Sequence, residues 1–90
     1  MRVVLSDDVI TQPVSDELVL LDFASGQYFG LDAVGARMLE LLLAHDDRPE
    51  VVRTLLEEFE VDAARLERDL DGLVAALVAR GLVRPHAPPA

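Results

Sequence analysis

Glu17-Leu18-Val19-Leu20-Leu21-Asp22-Phe23-Ala24-Ser25-Gly26-Gln27-Tyr28-Phe29-Gly30-Leu31-Asp32 is the stretch that decides the fold. Its opening, residues 17–23, is a nearly continuous apolar run that fits either a strand covered on both faces or a turn of helix. The flanks decide for strand. Ala24, Ser25 and Gly26 supply a tight turn, and the aromatic residues of Gln27–Leu31 suit a pleated surface, so the two halves predict a β-hairpin. At Asp32, a good helix N-cap, the period turns helical: Val34, Met38, Leu39, Leu42 and Leu43 share one face of a helix ending near His45. Gly35 weakens the first turn of that helix, which points to close packing there.

Upstream, Val3–Leu5 and Val9–Thr11 are short β-rich pieces split by Ser6, Asp7 and Asp8, and Pro13 suits an edge strand or a strand end. Downstream, Asp47-Arg48-Pro49-Glu50 reads as a capping box with proline in the first turn. It predicts a second helix from about Arg48 to Phe59 that turns Val51, Val52, Leu55, Leu56 and Phe59 inward. Asp62 caps a third helix with the stripe Leu66, Leu70, Leu73, Val74 and Leu77, running to Arg80 and stopped by Gly81. Leu82 and Val83 can pack back on the core. The expected architecture is α+β and winged-helix-like, a three-stranded antiparallel sheet followed by three helices. Residues 1–84 form the domain, and the proline-rich 85–90 is expected to be a disordered tail.

A chain of 90 residues has surface to bury for one modest core, and 51% hydrophobic with 28% charged residues is a globular composition. The start MRVVLSDD lacks the basic and apolar regions of a signal peptide, and no apolar run reaches the roughly 20 residues of a membrane span. The expected location is cytoplasmic, with no membrane partner. Eight Arg, no Lys and seventeen acids give a formal charge of −9, which repels polyanions. From Asp62 to Arg80 four acids face Arg65, Arg68 and Arg80, so the third helix makes a poor nucleic-acid reader.

Catalytic chemistry finds few residues to work with. There is no cysteine, so the chain has no thiolate nucleophile or zinc-thiolate site of its own. His45 lies at a helix end and His86 in the tail, without metal-ligand spacing. Acids at Glu57, Glu58 and Glu60, and at Glu67, Asp69 and Asp71, fall on helices with apolar neighbours at core spacing, where a solvated face explains them better than a calcium loop does. Gly26, Gly30 and Gly35 do not make a phosphate loop. Ser25 lacks the Asp before it and the helix after it that a carrier domain needs. The reading is a non-enzyme with no cofactor.

Two binding hypotheses remain. One is a winged-helix regulatory or interaction domain. The other uses the sheet edge, whose unpaired N–H and C=O groups accept an incoming peptide as an added strand. Here the residues carry a family resemblance. Asp16 through Asp32, followed by Val34-Gly35-Ala36-Arg37-Met38-Leu39-Glu40-Leu41-Leu42, resembles the PqqD-like pattern of strand, glycine turn, aromatic strand, Leu-Asn or Leu-Asp, small residues and apolar helix. The stretch from Asp69-Leu70 to Leu82-Val83, closing on Arg80-Gly81-Leu82, is similar to the third helix of that family and its terminus. Asp32 stands where Asn is commoner, which affects only the helix cap.

The resemblance implies a stand-alone precursor-recognition element that binds the leader peptide of a ribosomally made precursor against its last sheet strand and third helix. Carried onto this sequence, it puts Gln27, Tyr28, Phe29 and Gly30 on the strand side and Leu66, Asp69, Leu70 and Leu73 on the helix side. The 22–42 segment looks most like the small proteins of lasso-peptide clusters, which present the leader to a separate cysteine leader peptidase and often assist a lasso cyclase. A PqqD-type chaperone for a radical enzyme is the alternative within the family. Tyr28 and Phe29 also admit ordinary core packing, and successive strand side chains face opposite ways, so one of the pair is expected to be core.

Overall fold

The computed structural model describes residues 2–86, the side chains of Arg2 and His86 excepted. Strands β1 (Arg2–Leu5), β2 (Val9–Val14), β3 (Glu17–Asp22) and β4 (Gln27–Leu31) precede helices α1 (Ala33–Ala44), α2 (Arg48–Glu58) and α3 (Ala63–Ala79), and β5 (Val83–His86) follows. The strands β2-β3-β4 form the antiparallel sheet with β3 central, and β1 pairs with β5 in a separate two-stranded sheet. The predicted hairpin is β3–β4. In it Asp22 accepts from Ala24 N at 3.0 Å and Ser25 Oγ at 2.9 Å, and Gly26 takes φ 74, a left-handed turn that glycine adopts without a Cβ clash.

The apolar run of β3 packs on the core along one parity only, and is not covered on both faces as its sequence suggests. Leu18 faces Leu31 and Leu20 faces Phe29 across β3–β4, so this parity points to the core, where Leu20 is wholly buried. The other parity pairs Leu21 with Tyr28 and turns outward, leaving Tyr28 74% exposed. Of the two aromatic neighbours, Phe29 packs against the core and Tyr28 does not. β2 runs to Val14, beyond the Thr11 limit read from sequence, because Pro13 sits on an edge strand where a missing N–H is tolerated.

One cluster joins Val3, Val9, Leu20, Leu31, Leu39, Leu77, Leu82 and Val83, welding both sheets to α1 and the end of α3. The second joins Met38, Leu41, Val51, Leu55, Leu66 and Leu70 among the three helices. Asp32 caps α1 by accepting Gly35 N–H at 2.8 Å, and Asp62 caps α3 by accepting Arg65 N–H at 3.1 Å. At Gly35 a Cβ would stand 3.3 Å from Asp32 Oδ1, the close packing that the glycine foretold. α3 stops in a Schellman motif: Gly81 at φ 72 donates to Val78 O at 3.0 Å and Leu82 N–H to Leu77 O at 2.9 Å, with Leu77 and Leu82 together in the core.

Three expectations are corrected. The capping box fails at α2, since Asp47 makes no side-chain cap bond and Glu50 pairs with Arg53 instead. Leu56 is exposed, its wheel position lying past the buried Val51–Leu55 stripe. Pro85 and His86, placed in the tail, belong to β5, with Pro85 opposite Val3 and His86 opposite Arg2. Burial of Leu82 and Val83 starts that strand along β1, and Ser6 N–H to Leu82 O at 3.0 Å fastens it. Positions 87–90 of the expected tail lie outside the described residues.

Candidate peptide-binding groove

β2 and β4 are the outer strands of the three-stranded sheet, each leaving one row of backbone groups without a sheet partner. Pro13 breaks the row of donors on β2, whereas β4 carries no proline and contains Gly30, whose backbone a visitor can approach closely. The two edges also differ in what lies beside them. Next to β4 opens a groove of about 810 Å³ between the strand, the start of α1 and one face of α3.

The β4 side of the groove is Phe29, Gly30 and Leu31, and α1 contributes Val34, Gly35 and Met38. Leu73 and Ala76 give the α3 wall its apolar part, and Val61, 41% exposed, closes the end near the loop before α3. Polar groups sit around this apolar floor: Asp32, Glu60, Asp62, Arg65 and Asp69. Arg80, at the C-cap of α3 and outside the groove lining, lies over the Phe29 ring, 4.8 Å from its centre.

Four residues expected at a peptide site therefore meet here: Phe29 and Gly30 from the strand, Asp69 and Leu73 from the helix. Leu66 and Leu70 do not. They are 1% and 0% exposed and pack toward Val51 and Leu55, because on α3 the i, i+4 pair Leu66–Leu70 points at α1 and α2 while Asp69 and Leu73 turn toward β4. Tyr28 looks out from the opposite face of the sheet, and Gln27, exposed at the start of β4, lies beyond the groove lining. Both still carry backbone on the open edge.

Sequence reasoning missed the α1 lining and the end formed by Glu60 and Val61. Val34 and Met38 read only as core, and both pack on the helical cluster while one flank borders the groove. An exposed Val61 between two acids was the available signal for the other end. Among the described residues no group of His, Asp and Glu is arranged to hold a metal ion, and no helix is long and apolar enough to cross a membrane.

Residues 17–83 match the family described as coenzyme PQQ synthesis protein D (PqqD). No curated protein matches the chain significantly. Two solved structures share its fold along nearly all of it. One, described as TbiB1 in complex with the TbiA(beta) leader peptide, is 39% identical with a TM-score of 0.82, covering 98% of this chain and 100% of that one. The other, described as lasso peptide synthetase B1 complexed with the leader peptide, is 29% identical with a TM-score of 0.86, covering 94% of this chain and 100% of that one.

Proposed function

This chain belongs to the PqqD family, and we propose on that basis that it binds the leader region of a ribosomally synthesised precursor peptide in lasso-peptide biosynthesis. The leader joins the three-stranded sheet as a fourth strand on β4, with alternate side chains entering the groove against α3. The observation that carries the reading is the open edge of β4 above an apolar groove, in a fold whose two solved neighbours are both leader-peptide complexes.

The chain acts by holding rather than by reacting. Strand addition supplies main-chain hydrogen bonds that any sequence can make, and the pocket lined by Phe29, Leu31, Met38 and Leu73 selects among sequences by apolar fit. Held in this way, the precursor is delivered to a separate cysteine leader peptidase, with a lasso cyclase as the next enzyme, and the tether raises the local substrate concentration. The lasso assignment is favoured over service to a radical enzyme because one of the neighbours is described as a lasso peptide synthetase B1. A DNA-reading role is opposed by the formal charge of −9.

The test is fluorescence anisotropy with the labelled leader of the precursor encoded beside this chain, with the TbiA(beta) leader as second probe and a DNA duplex as the competing ligand. Saturable one-to-one leader binding with no duplex binding at physiological salt is expected. Saturable duplex binding without leader binding overturns the proposal. Incubated alone with the chain, the precursor keeps its mass; adding the partner peptidase gives faster cleavage than the peptidase achieves unaided.

A further inference from the structure

The groove lining is acidic, and a cation stands just outside it over one of its members: Arg80 covers the Phe29 ring. The groove lining sets the carboxylates of Asp32, Glu60, Asp62 and Asp69 against the single cation Arg65. Asp32 and Asp62 each accept a helix N–H, which uses a lone pair without neutralising the charge. Arg65 Nε is 3.8 Å from Asp69 Oδ2, with both side chains more than half exposed, and Glu60 has no ion-pair partner among the described residues. The starts of α1 and α3 each add roughly half a positive charge, too little to balance these acids. Outside that lining, at the C-cap of α3, Arg80 lies over Phe29 with no carboxylate paired to it among the described residues.

Distance separates these charges cleanly. Asp69 and Arg80 stand on one helix, and at about 1.5 Å of rise per residue they are about 16 Å apart along its axis. An extended peptide covers that in about five residues at roughly 3.3 Å each. β4 passes from Phe29, beneath Arg80, toward Leu31 and Asp32 at the acidic end. An antiparallel strand on β4, like every strand pairing already present, starts at the acidic end and finishes beside Arg80.

We infer that the groove takes a leader strand bearing a basic side chain opposite Glu60 and Asp69 and a carboxylate about five residues later beside Arg80, so that charge fixes the strand's register and direction. This rests on the leader-binding reading and adds the chemistry of the bound segment. The apolar floor holds the strand, and the charges choose its direction: a reversed strand sets like charges against each other at both ends.

The experiment measures anisotropy of the labelled leader of the precursor encoded beside this chain. The leader is used as the natural peptide and in forms with each Lys or Arg replaced singly by Gln and each Glu or Asp replaced by its amide. The protein is wild type, Glu60→Lys, Arg80→Glu or Glu57→Lys, each confirmed to melt cooperatively. Glu60→Lys and Arg80→Glu are expected to weaken binding by about two- to tenfold at low salt, the loss shrinking in 1 M salt. Glu57→Lys, which matches the net-charge change of Glu60→Lys but lies on α2 outside the groove, binds as wild type. One basic peptide position loses its contribution in Glu60→Lys, and one acidic position about five residues later loses its contribution in Arg80→Glu. Normal binding by both groove variants overturns the inference and leaves the leader reading intact, as does an equal loss in Glu57→Lys. Failure of the wild type to bind any form overturns both.

Discussion

Arg37 on α1 donates from Nε and Nη2 to both carboxylate oxygens of Glu58 on α2, at 2.8 and 2.7 Å, while its Nη1 reaches Glu40 at 2.7 Å. The paired geometry makes this the best-formed ion pair between two helices of the fold, and it ties α1 to α2 through residues outside the groove lining. Both side chains are about one-third exposed, at 32% and 35%.

The hydrogen bonds from Arg37 hold the Glu58 carboxyl below its ordinary value of 4.5. A carboxyl whose folded value is depressed contributes stability above its unfolded value, and that contribution is lost as the pH falls through the folded one. Thermal melts should therefore show the wild type losing its advantage over Glu58→Gln as pH drops below 4.5, with the two converging in stronger acid. A constant gap between them across that window would mean the pair is not the source.

Leu70 and Leu73 divide stability from binding on neighbouring positions of α3. Leu70 is wholly buried, so Leu70→Ala should cost about 2 to 5 kcal/mol of stability in chemical denaturation. Leu73 is half-buried and borders the groove, so Leu73→Ala should cost less stability and more leader affinity for each kcal/mol of folding lost. If the two variants shift binding and melting in the same ratio, the helix face has no groove-specific role.

Proline separates the two rows of backbone groups along β4. Alternate residues aim N–H and C=O at β3 or at the open edge, so Tyr28→Pro and Phe29→Pro remove different donors. One variant should lose the β3–β4 hairpin and its cooperative melt. The other should stay folded and lose leader affinity by the net value of a hydrogen bond, on the order of 1 kcal/mol. Wild-type affinity in a folded proline variant at either position would remove main-chain pairing on β4 from the mechanism.

Gly81 gives a test of the α3 terminus. Its φ of 72 is left-handed, so Gly81→Ala should destabilise the fold by about 1 to 2 kcal/mol even though nothing lies within 4 Å of the position a Cβ would take. Because Leu82 and β5 leave from this turn, the loss should also be read in faster amide exchange at Val83 and Arg84.

Local rules settled much of this protein before any contact was known. The β3–β4 hairpin, both functioning N-caps at Asp32 and Asp62, and the Gly81 stop follow from interactions spanning a few residues, and the helix faces follow from a period of about 3.6. The family pattern sits in the same segments, which is why leader binding was legible there.

Tertiary structure alone decided the pairings and faces that depend on distant partners. Pro85-His86 reads as a tail, and becomes part of a strand only because β1, from the other end of the chain, is packed beside it. Leu66, Leu70 and Leu73 form one apolar stripe in sequence; where α1 and α2 dock decides that the first two are sealed in the core and the third meets the groove. Glu60 and Val61 acquire a place in the groove lining, and Arg80 its place over Phe29, by that same docking, since periodicity fixes which residues share a helix face but not which neighbour that face will meet.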